Sequence, residues 1–183
     1  MSDQLTENLP ILIVPAKILR LKARPVTRAD QALVDRLIPR MFASMYAAPG
    51  IGLAAPQVGA SLRLIVIDLM ADQKPEPLVM INPEIVAAST EQATREEGCL
   101  SLPGQYAEIT RPARVKVRFE DQAGVRRDLD AEGLFAACIQ HEIDHLNGVL
   151  FVDYLSSLKR NILLRKLAKE QKIAAEKKAE KKS

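Results

Sequence analysis

The sequence predicts one α+β domain, in which mixed or antiparallel β-sheets pack around a central metal-binding helix and a further helix lies at the C-terminus. Three observations lead to this prediction. The chain has 183 residues, 48% of them hydrophobic and 27% charged, which is enough apolar material for one core. Segments with helical periodicity alternate with short β-branched runs. We find no internal repeat and no linker, so residues 1–155 and 156–183 are expected to belong to the same domain.

The first helix is predicted between residues 29 and 48. Apolar side chains recur there three and four residues apart, which is typical of a helix with one core-facing stripe. These are Leu33, Leu37, Met41 and Met45, together with Val34, Ile38 and Phe42. Pro39 lies inside this segment and removes the hydrogen bond to the carbonyl of Asp35, so we expect the helix to kink or restart there.

Strands are predicted next, in the short apolar runs at 62–69, 78–81, 84–89 and 113–121. In the last run, Val115, Val117 and Phe119 alternate with charged residues, which is typical of a strand with one solvent-exposed face. A turn at 121–124 would lead into a partner strand at 125–133. The following segment, 131–148, predicts a helix that Gly148 ends.

The C-terminal segment, 156–183, carries a net charge of +7 in a chain whose total is +3. An apolar stripe predicts a helix that docks on the core, through Leu155, Leu158, Ile162, Leu163 and Leu167. Beyond residue 171 no further stripe is found. That end is either a solvated helix terminus or a basic arm that contacts RNA or the ribosome.

Cellular location follows from what the sequence does not contain. Two cysteines cannot form the disulfide framework of a small secreted protein. No apolar run approaches the roughly 18 residues of a membrane span, and the N-terminal segment has no early basic cluster. We therefore expect a cytoplasmic protein, with neither a membrane nor DNA among its partners.

The two histidines of the chain, His141 and His145, stand four residues apart, and Glu142 follows the first. On a helix this spacing places both imidazoles on one face, where they can bind the same ion, and displaces the glutamate sideways. A histidine pair on a surface helix is the alternative interpretation. The segment is apolar nearly all round, which favours a buried helix instead.

A catalytic metal site normally has three protein ligands, so a third must come from elsewhere in the chain. Cys99 is favoured, because a thiolate is a strong ligand and Gly98 beside it permits close backbone approach. Cys138 remains the alternative. It lies three residues before His141 on the same helix, beside Ala137, and fits the role of a small buried hydrophobic residue better.

A metal site with two histidines, one cysteine and a neighbouring glutamate predicts that the protein hydrolyses an amide-like bond. A divalent ion lowers the pKa of its bound water and polarises a carbonyl, while Glu142 takes the proton and passes it to the leaving amine. The oxyanion that forms needs a donor, and Gln57 in the glycine-rich segment 49–59 is a candidate. Glu97 and Asp144 are candidate acceptors for the second ring nitrogens of the histidines.

Three motifs together resemble the peptide deformylase family: GIGLAAPQ at 50–57, EGCLS at 97–101 and QHEIDH at 140–145. They occur complete and in the family's order and spacing. The resemblance implies a hydrolase that removes the formyl group from the N-terminal formyl-methionine of nascent polypeptides and releases formate. Residues 1–155 would then be the metal-dependent deformylase domain. One divalent ion per chain is implied, with Fe²⁺ expected in the cell and Zn²⁺, Ni²⁺ or Co²⁺ able to replace it.

The resemblance also assigns roles to single residues. It implies that the metal ligands are Cys99, His141 and His145. The catalytic groups would be Glu142 as acid and base, with Gln57 and the backbone N–H of Leu100 as oxyanion donors. The substrate-binding residues would be Ile51, Gly52 and Gly98 through their backbone, and Leu134, Ala137 and Cys138 around the methionine.

Two further points rest on the same resemblance. The basic C-terminal helix resembles the ribosome-docking helix of bacterial members, which makes the ribosome a further expected partner. Tyr106 stands where some relatives carry arginine, so this chain lacks a charge in the segment that lines the peptide groove.

From the residues alone, two other classes of protein stay open: a metallopeptidase, and a binding protein with a structural metal.

Overall fold

The structure, a computed structural model, describes residues 7–180. Within that range the chain forms three α-helices, α1 (Gln31–Ala47), α2 (Gly133–Leu146) and α3 (Ser157–Glu180). The strands are β1 (Gly52–Ala54), β2 (Leu64–Ile67), β3 (Leu78–Ala88), β4 (Gln92–Cys99), β5 (Leu102–Pro112), β6 (Arg114–Glu120) and β7 (Arg126–Glu132). The first residues of the N-terminal segment, 1–6, and the end of the basic tail, 181–183, lie outside the described residues.

The strands form two separate sheets. Five of them pair in the order β1-β2-β3-β6-β7, and β4 and β5 form a hairpin of their own. Every named strand pair is antiparallel. The predicted α+β class, with a helix at the C-terminus, is confirmed.

Helix α2 packs against the five-stranded sheet. Its residues Ile139 and Leu146 are buried in one cluster with Ile65 and Val117 of the strands, because an apolar helix face gains most by covering an apolar sheet. The helix ends as predicted: Gly148 has φ +72°, and a Cβ there would lie 2.6 Å from the carbonyl oxygen of Arg20.

The prediction for α1 needs two corrections. The helix does not restart at Pro39 but continues through it as a single element, with the proline on its exposed side. Leu33 was expected in the core but is exposed, whereas Met41 and Met45 are fully buried. The apolar stripe covers more of the helix circumference than the core does, so the residue at its margin stays in contact with solvent.

The hairpin β4–β5 was not predicted from the sequence. The reason is that its inward-facing positions include the buried polar residues Glu97, Gln105 and Arg111, so the apolar alternation of a half-buried strand is absent. The strands predicted at 78–81 and 84–89 are one strand, β3, with two register shifts. The first lies between Ile81 and Glu84, around Asn82, whose φ is +51°.

Helix α3 docks through only part of the predicted stripe: Leu155, Leu163 and Leu167 pack in one core cluster. Leu167 is buried against Leu102 and Phe151, but Leu158 and Ile162 are 72% and 57% exposed. Two polar contacts hold the helix in this rotation. The amide of Gln171 donates to the carbonyl of Val14 at 3.0 Å, and the amide of Gln105 donates to Glu170 at 2.8 Å. No helix in residues 7–180 combines the length and apolarity that a membrane crossing requires.

Candidate metal centre and active site

Three side chains from two elements converge on one point. Cys99 ends β4, and His141 and His145 lie one turn apart on α2. One donor atom from each lies within 4.8 Å of the others, and Cys99 Sγ is 3.2 Å from His145 Nε2. Neighbouring donors of a tetrahedral zinc ion with one sulfur and two nitrogen ligands are about 3.5 Å apart, so this donor set fits a small divalent ion.

The second cysteine is not part of this group. Cys138 Sγ lies 3.8 Å from the carbonyl oxygen of Ile51, and burial raises the pKa of its thiol well above its usual value. A thiol that stays protonated behaves as a small apolar residue rather than as a ligand. The geometry therefore favours Cys99 over Cys138 as the third donor.

Glu97 orients His141. Its Oε2 lies 3.0 Å from His141 Nδ1, which leaves Nε2 of the ring for an ion. Burial works against ionisation of Glu97, but hydrogen bonds from His141 and Arg111 outweigh it and keep the pKa of this carboxyl below its usual value. Within residues 7–180, Asp144, the other candidate acceptor, forms no hydrogen bond to the ring of either histidine. It accepts instead from Arg111 at 2.8 Å and from Tyr154 at 2.9 Å.

Arg111 was missed in the sequence. Its guanidinium is buried and bonds both oxygens of Glu97, at 2.6 Å and 3.0 Å. Its Nη1 reaches Asp144, and the ring of Tyr154 lies 4.7 Å from its central carbon. The guanidinium thus joins the end of β4, which carries Cys99, to helix α2. The signal would have been a charged residue at an inward position of a strand, which requires that the strand be recognised first.

Glu142 lies beside the donor group in a buried position, and its Oε2 has no hydrogen-bond partner within residues 7–180. Burial raises its pKa to about 7. Burial also holds the pKa of His145 well below its usual value, so its imidazole is neutral, as a metal ligand must be. Burial opposes protonation of His141 as well, but Cys99 and Glu97 outweigh it and raise the pKa of that ring.

Gln57 presents an amide donor to the same point. Its Oε1 accepts the backbone N–H of Ala54 at 2.8 Å, which fixes the orientation of the amide. The Nε2 group then faces Ser101 Oγ at 3.1 Å and Cys99 Sγ at 3.7 Å. The side chain is buried, so the donor is held in place before any substrate arrives.

An open cavity of about 610 Å³ lies over this group. Each substrate-binding residue expected from the sequence lines it: Ile51, Gly52, Gly98, Leu134, Ala137 and Cys138. Gln57, Cys99, Leu100, His141 and Glu142 also line it, whereas His145 is not among the lining residues. Leu134 is 50% exposed because it stands in the cavity wall, so α2 is less completely buried than its sequence indicated.

Gly52 has no room for a side chain. A Cβ at this position would lie 2.6 Å from Glu142 Oε1 and 2.9 Å from Cys138 Sγ. The backbone of β1 therefore approaches the buried carboxylate more closely than any other residue would permit.

Fold and site together define a class: an α+β protein with a candidate cysteine and histidine metal centre at the floor of an open cavity. Comparison with known proteins then gives the family. Residues 8–161 match the model of the family described as polypeptide deformylase. The chain belongs to this family, and it is a hydrolase.

Individual relatives agree with this assignment. The chain is 56% identical over 171 residues to a protein of Bradyrhizobium sp. strain BTAi1 named peptide deformylase, covering 91% of this chain and 97% of the relative. It also resembles the crystal structure of a peptide deformylase from Legionella pneumophila, with a TM-score of 0.85, 48% identity and coverage of 92% and 98%. A peptide deformylase from Synechococcus elongatus, solved in complex with actinonin, gives a TM-score of 0.80 at 47% identity, with 86% of each chain covered.

Proposed function

We propose that this enzyme removes the formyl group from the N-terminal formyl-methionine of newly made polypeptides and releases formate. One observation carries the proposal: the donor atoms of Cys99, His141 and His145 converge beside the buried carboxylate of Glu142, next to an open cavity. In a chain of this family, that arrangement suits hydrolysis of a small amide at the end of a peptide.

The three donors would hold one divalent ion. When bound, the ion supplies a Lewis acid that polarises the formyl carbonyl and lowers the pKa of water. One sulfur and two imidazole ligands suit Fe²⁺ and Zn²⁺, and Ni²⁺ and Co²⁺ are compatible with the same donors. We assign Fe²⁺ as the ion in the cell.

Glu142 is the acid and base of the proposed reaction. It accepts a proton from the attacking water and returns it to the amine nitrogen of methionine as the bond to the formyl carbon breaks. A carboxyl whose pKa is raised to about 7 suits both steps at neutral pH. Gln57 and the backbone N–H of Leu100 donate to the formyl oxygen as negative charge develops on it.

The peptide would bind as an extended strand between two sheet edges. Within residues 7–180, β1 is an edge strand of the five-stranded sheet and β4 pairs with β5 alone, and Gly52 and Gly98 bring both free edges to the cavity. Backbone groups of Ile51, Gly52 and Gly98 are therefore available to a substrate strand. The remaining wall would receive the methionine side chain, an unbranched apolar group, through Leu134, Ala137 and Cys138.

The test is anaerobic purification followed by metal analysis and an assay of formate release from a formyl-Met peptide. We expect Cys99→Ala to lose most of its metal and its turnover, because two imidazoles alone bind a divalent ion weakly. Cys138→Ala is the matched control and should keep its metal, since its sulfur is outside the donor group. Retention of both metal and rate by Cys99→Ala would show that the proposed site is wrong.

A second peptide separates this function from that of a metallopeptidase. The same sequence with a free N-terminal amine should release nothing, whereas the formylated peptide should release formate. Cleavage of an internal peptide bond in either substrate would favour the metallopeptidase.

We further propose that the chain is cytoplasmic, that residues 1–155 and 156–183 form one domain, and that α3 docks on the ribosome. Leu167 of α3 is buried in the core, while the exposed side of the helix is rich in lysine. A basic helix of this kind is suited to the phosphate backbone of RNA. Deleting residues 156–183 would uncover Leu102 and Phe151, so charge reversal is the sharper test.

Reversal of two exposed charges on α3, Lys169→Glu and Lys177→Glu, should weaken ribosome binding about tenfold or more at low salt, and less as salt is raised. Turnover of a short formyl-Met peptide should not change. The control carries the same change in net charge away from α3, at Lys74→Glu and Arg126→Glu. Equal ribosome affinity of the two double variants, measured by sedimentation, would contradict docking through α3.

A further inference from the structure

The side of hairpin β4–β5 that faces solvent continues directly from the cavity. Alternation along both strands puts four cross-strand pairs on this face: Gln92 with Pro112, Thr94 with Thr110, Glu96 with Glu108, and Gly98 with Tyr106. The threonine hydroxyls confirm the shared face, since they lie 2.8 Å apart. Of the residues between them, which lie on the opposite face, Glu97 and Ile109 are buried.

The ring of Tyr106 occupies the space that a side chain at position 98 would fill. A Cβ at Gly98 would lie 2.5 Å and 2.7 Å from two carbons of the tyrosine ring. The ring is nevertheless 61% exposed and forms part of the cavity wall. An aromatic surface therefore extends across Gly98 to the free edge of β4, where a substrate strand would lie.

The direction of the bound peptide follows from the proposed function, on which this inference rests. With its formyl group at Cys99 and its chain along β4 toward Glu96, the peptide runs antiparallel to β4. Its first side chain, methionine, points inward to the wall formed by Leu134 and Ala137. Because side chains alternate, the second residue points outward and comes to lie on the ring of Tyr106.

Glu96 and Glu108 lie one step further along the same face. They are directly opposite each other, both are exposed, and neither forms an ion pair within the described chain. Like charges in this position repel, so a cation from outside would relieve the repulsion. The acids lie roughly 7 Å from the Gly98 pair, two residues along the strand, which a long basic side chain spans.

The arginine next to Glu96 in the chain forms no ion pair with these acids within the described residues. Arg95 also lines the cavity, but it belongs to the opposite face of β4, and its Nη2 lies 3.7 Å from the position of a Cβ at Gly133. The solvent face near Tyr106 therefore combines an exposed aromatic ring with two uncompensated carboxylates.

We propose that Tyr106, Glu96 and Glu108 form a subsite that selects arginine or lysine as the second residue of the formyl-Met substrate. The aliphatic stem and the charged head of such a side chain pack on the ring, and the head faces the two carboxylates. Neutral side chains retain the ring contact alone, and acidic ones are repelled.

The experiment compares formyl-Met-X-Ala-Ser peptides in which X is arginine, its neutral analogue citrulline, or glutamate. We expect kcat/KM for arginine to exceed that for citrulline about fivefold, mainly through KM, and to exceed that for glutamate by more. In Glu96→Gln/Glu108→Gln the ratio of arginine to citrulline should fall below twofold. Glu120→Gln/Glu132→Gln, which neutralises two exposed acids outside the hairpin, is the matched control and should keep the full ratio.

The ring contact has its own variants. Tyr106→Ala should lower kcat/KM for the arginine peptide about threefold relative to a peptide with alanine at that position, whereas Tyr106→Phe should retain it. The double glutamine variant should unfold at the same temperature as the wild type or higher, since it removes a repulsion. A lower melting temperature would show that the two acids stabilise the hairpin and would count against a binding role.

Binding measured separately distinguishes the two proposals. In the Glu142→Gln background, fluorescence anisotropy of the peptides with a C-terminal dye reports affinity without turnover. Two results would overturn the subsite proposal. One is an arginine preference that persists in Glu96→Gln/Glu108→Gln, and the other is the absence of this preference when Glu96 and Glu108 are unchanged. Peptides that bind with the arginine preference but release no formate from the wild type overturn the proposed function and leave the subsite standing.

Discussion

Glu142→Gln is expected to lower formate release from a formyl-Met peptide by about 10³-fold, within the range of 10²–10⁴ that general acid–base catalysis contributes. The amide has the same shape as the carboxyl but cannot accept the proton of water. The metal should remain, because Cys99, His141 and His145 supply the donor group and Glu142 does not. Rates at saturating peptide, with metal content measured on the same samples, check both parts.

The matched control for this substitution is Glu132→Gln, an exposed acid immediately before α2. It changes the net charge equally and should leave the rate within about twofold, as surface substitutions away from a site usually do. Full activity of Glu142→Gln with metal bound would instead support a protein in which the ion is structural. Loss of the metal together with the rate would mean that Glu142 itself holds the ion.

The helix that carries two of the candidate metal ligands could be predicted because its signal is local. The spacing of His141 and His145 fixes both rings to one helix face whatever surrounds them. The third donor is different, since Cys99 lies forty-two residues before His141 and only the folded hairpin brings it to the helix. Spacing alone therefore left Cys138 as an alternative, and the structure favours Cys99 through the distance of its sulfur to His145.

The hairpin that carries Cys99 was missed for a physical reason. Sequence periodicity detects strands whose inward side chains are apolar. Here the inward positions hold Glu97, Gln105 and Arg111, whose burial is compensated by partners on other elements rather than by apolar contacts. A functional strand of this kind departs from the usual pattern, because its side chains serve the site as well as the core.

The rotation of α3 shows a related limit. Its sequence contains more apolar positions than the core can cover, and the pattern alone does not select among them. Hydrogen bonds from Gln105 to Glu170 and from Gln171 to Val14 select the rotation. These partners are far apart in the chain, so the buried face could be predicted in kind but not in its exact residues.

Arg111→Met is expected to lower the free energy of unfolding by about 3–5 kcal/mol, the cost of breaking a buried ion pair and leaving one partner unpaired. Both side chains of the pair with Glu97 are nearly inaccessible to solvent. Arg118→Met is the matched control. Arg118 bonds Asp128 through two nitrogens as well, at 2.8 Å and 2.9 Å, but both side chains are well exposed, so its loss should cost much less than that of Arg111. Urea unfolding of the metal-loaded proteins measures both free energies. Equal losses of stability in the two variants would show that burial does not determine the cost of losing the ion pair.

The same substitution should also weaken the metal site without touching a donor atom. Without Arg111, the buried carboxylate of Glu97 loses hydrogen bonds that compensate the cost of its burial, so its pKa rises. The carboxylate then holds His141 Nδ1 less firmly. Metal affinity, measured by competition with a chelator at neutral pH, should fall about 10- to 100-fold.

The pKa of Glu97 in the wild type is depressed, so the stability that its ionised form gives to the fold is complete at neutral pH. This stability is lost as the pH falls through the folded-state pKa. The stability difference between wild type and Arg111→Met should therefore shrink in acid, and a difference that stays constant below pH ~4 would show that the guanidinium acts through packing alone.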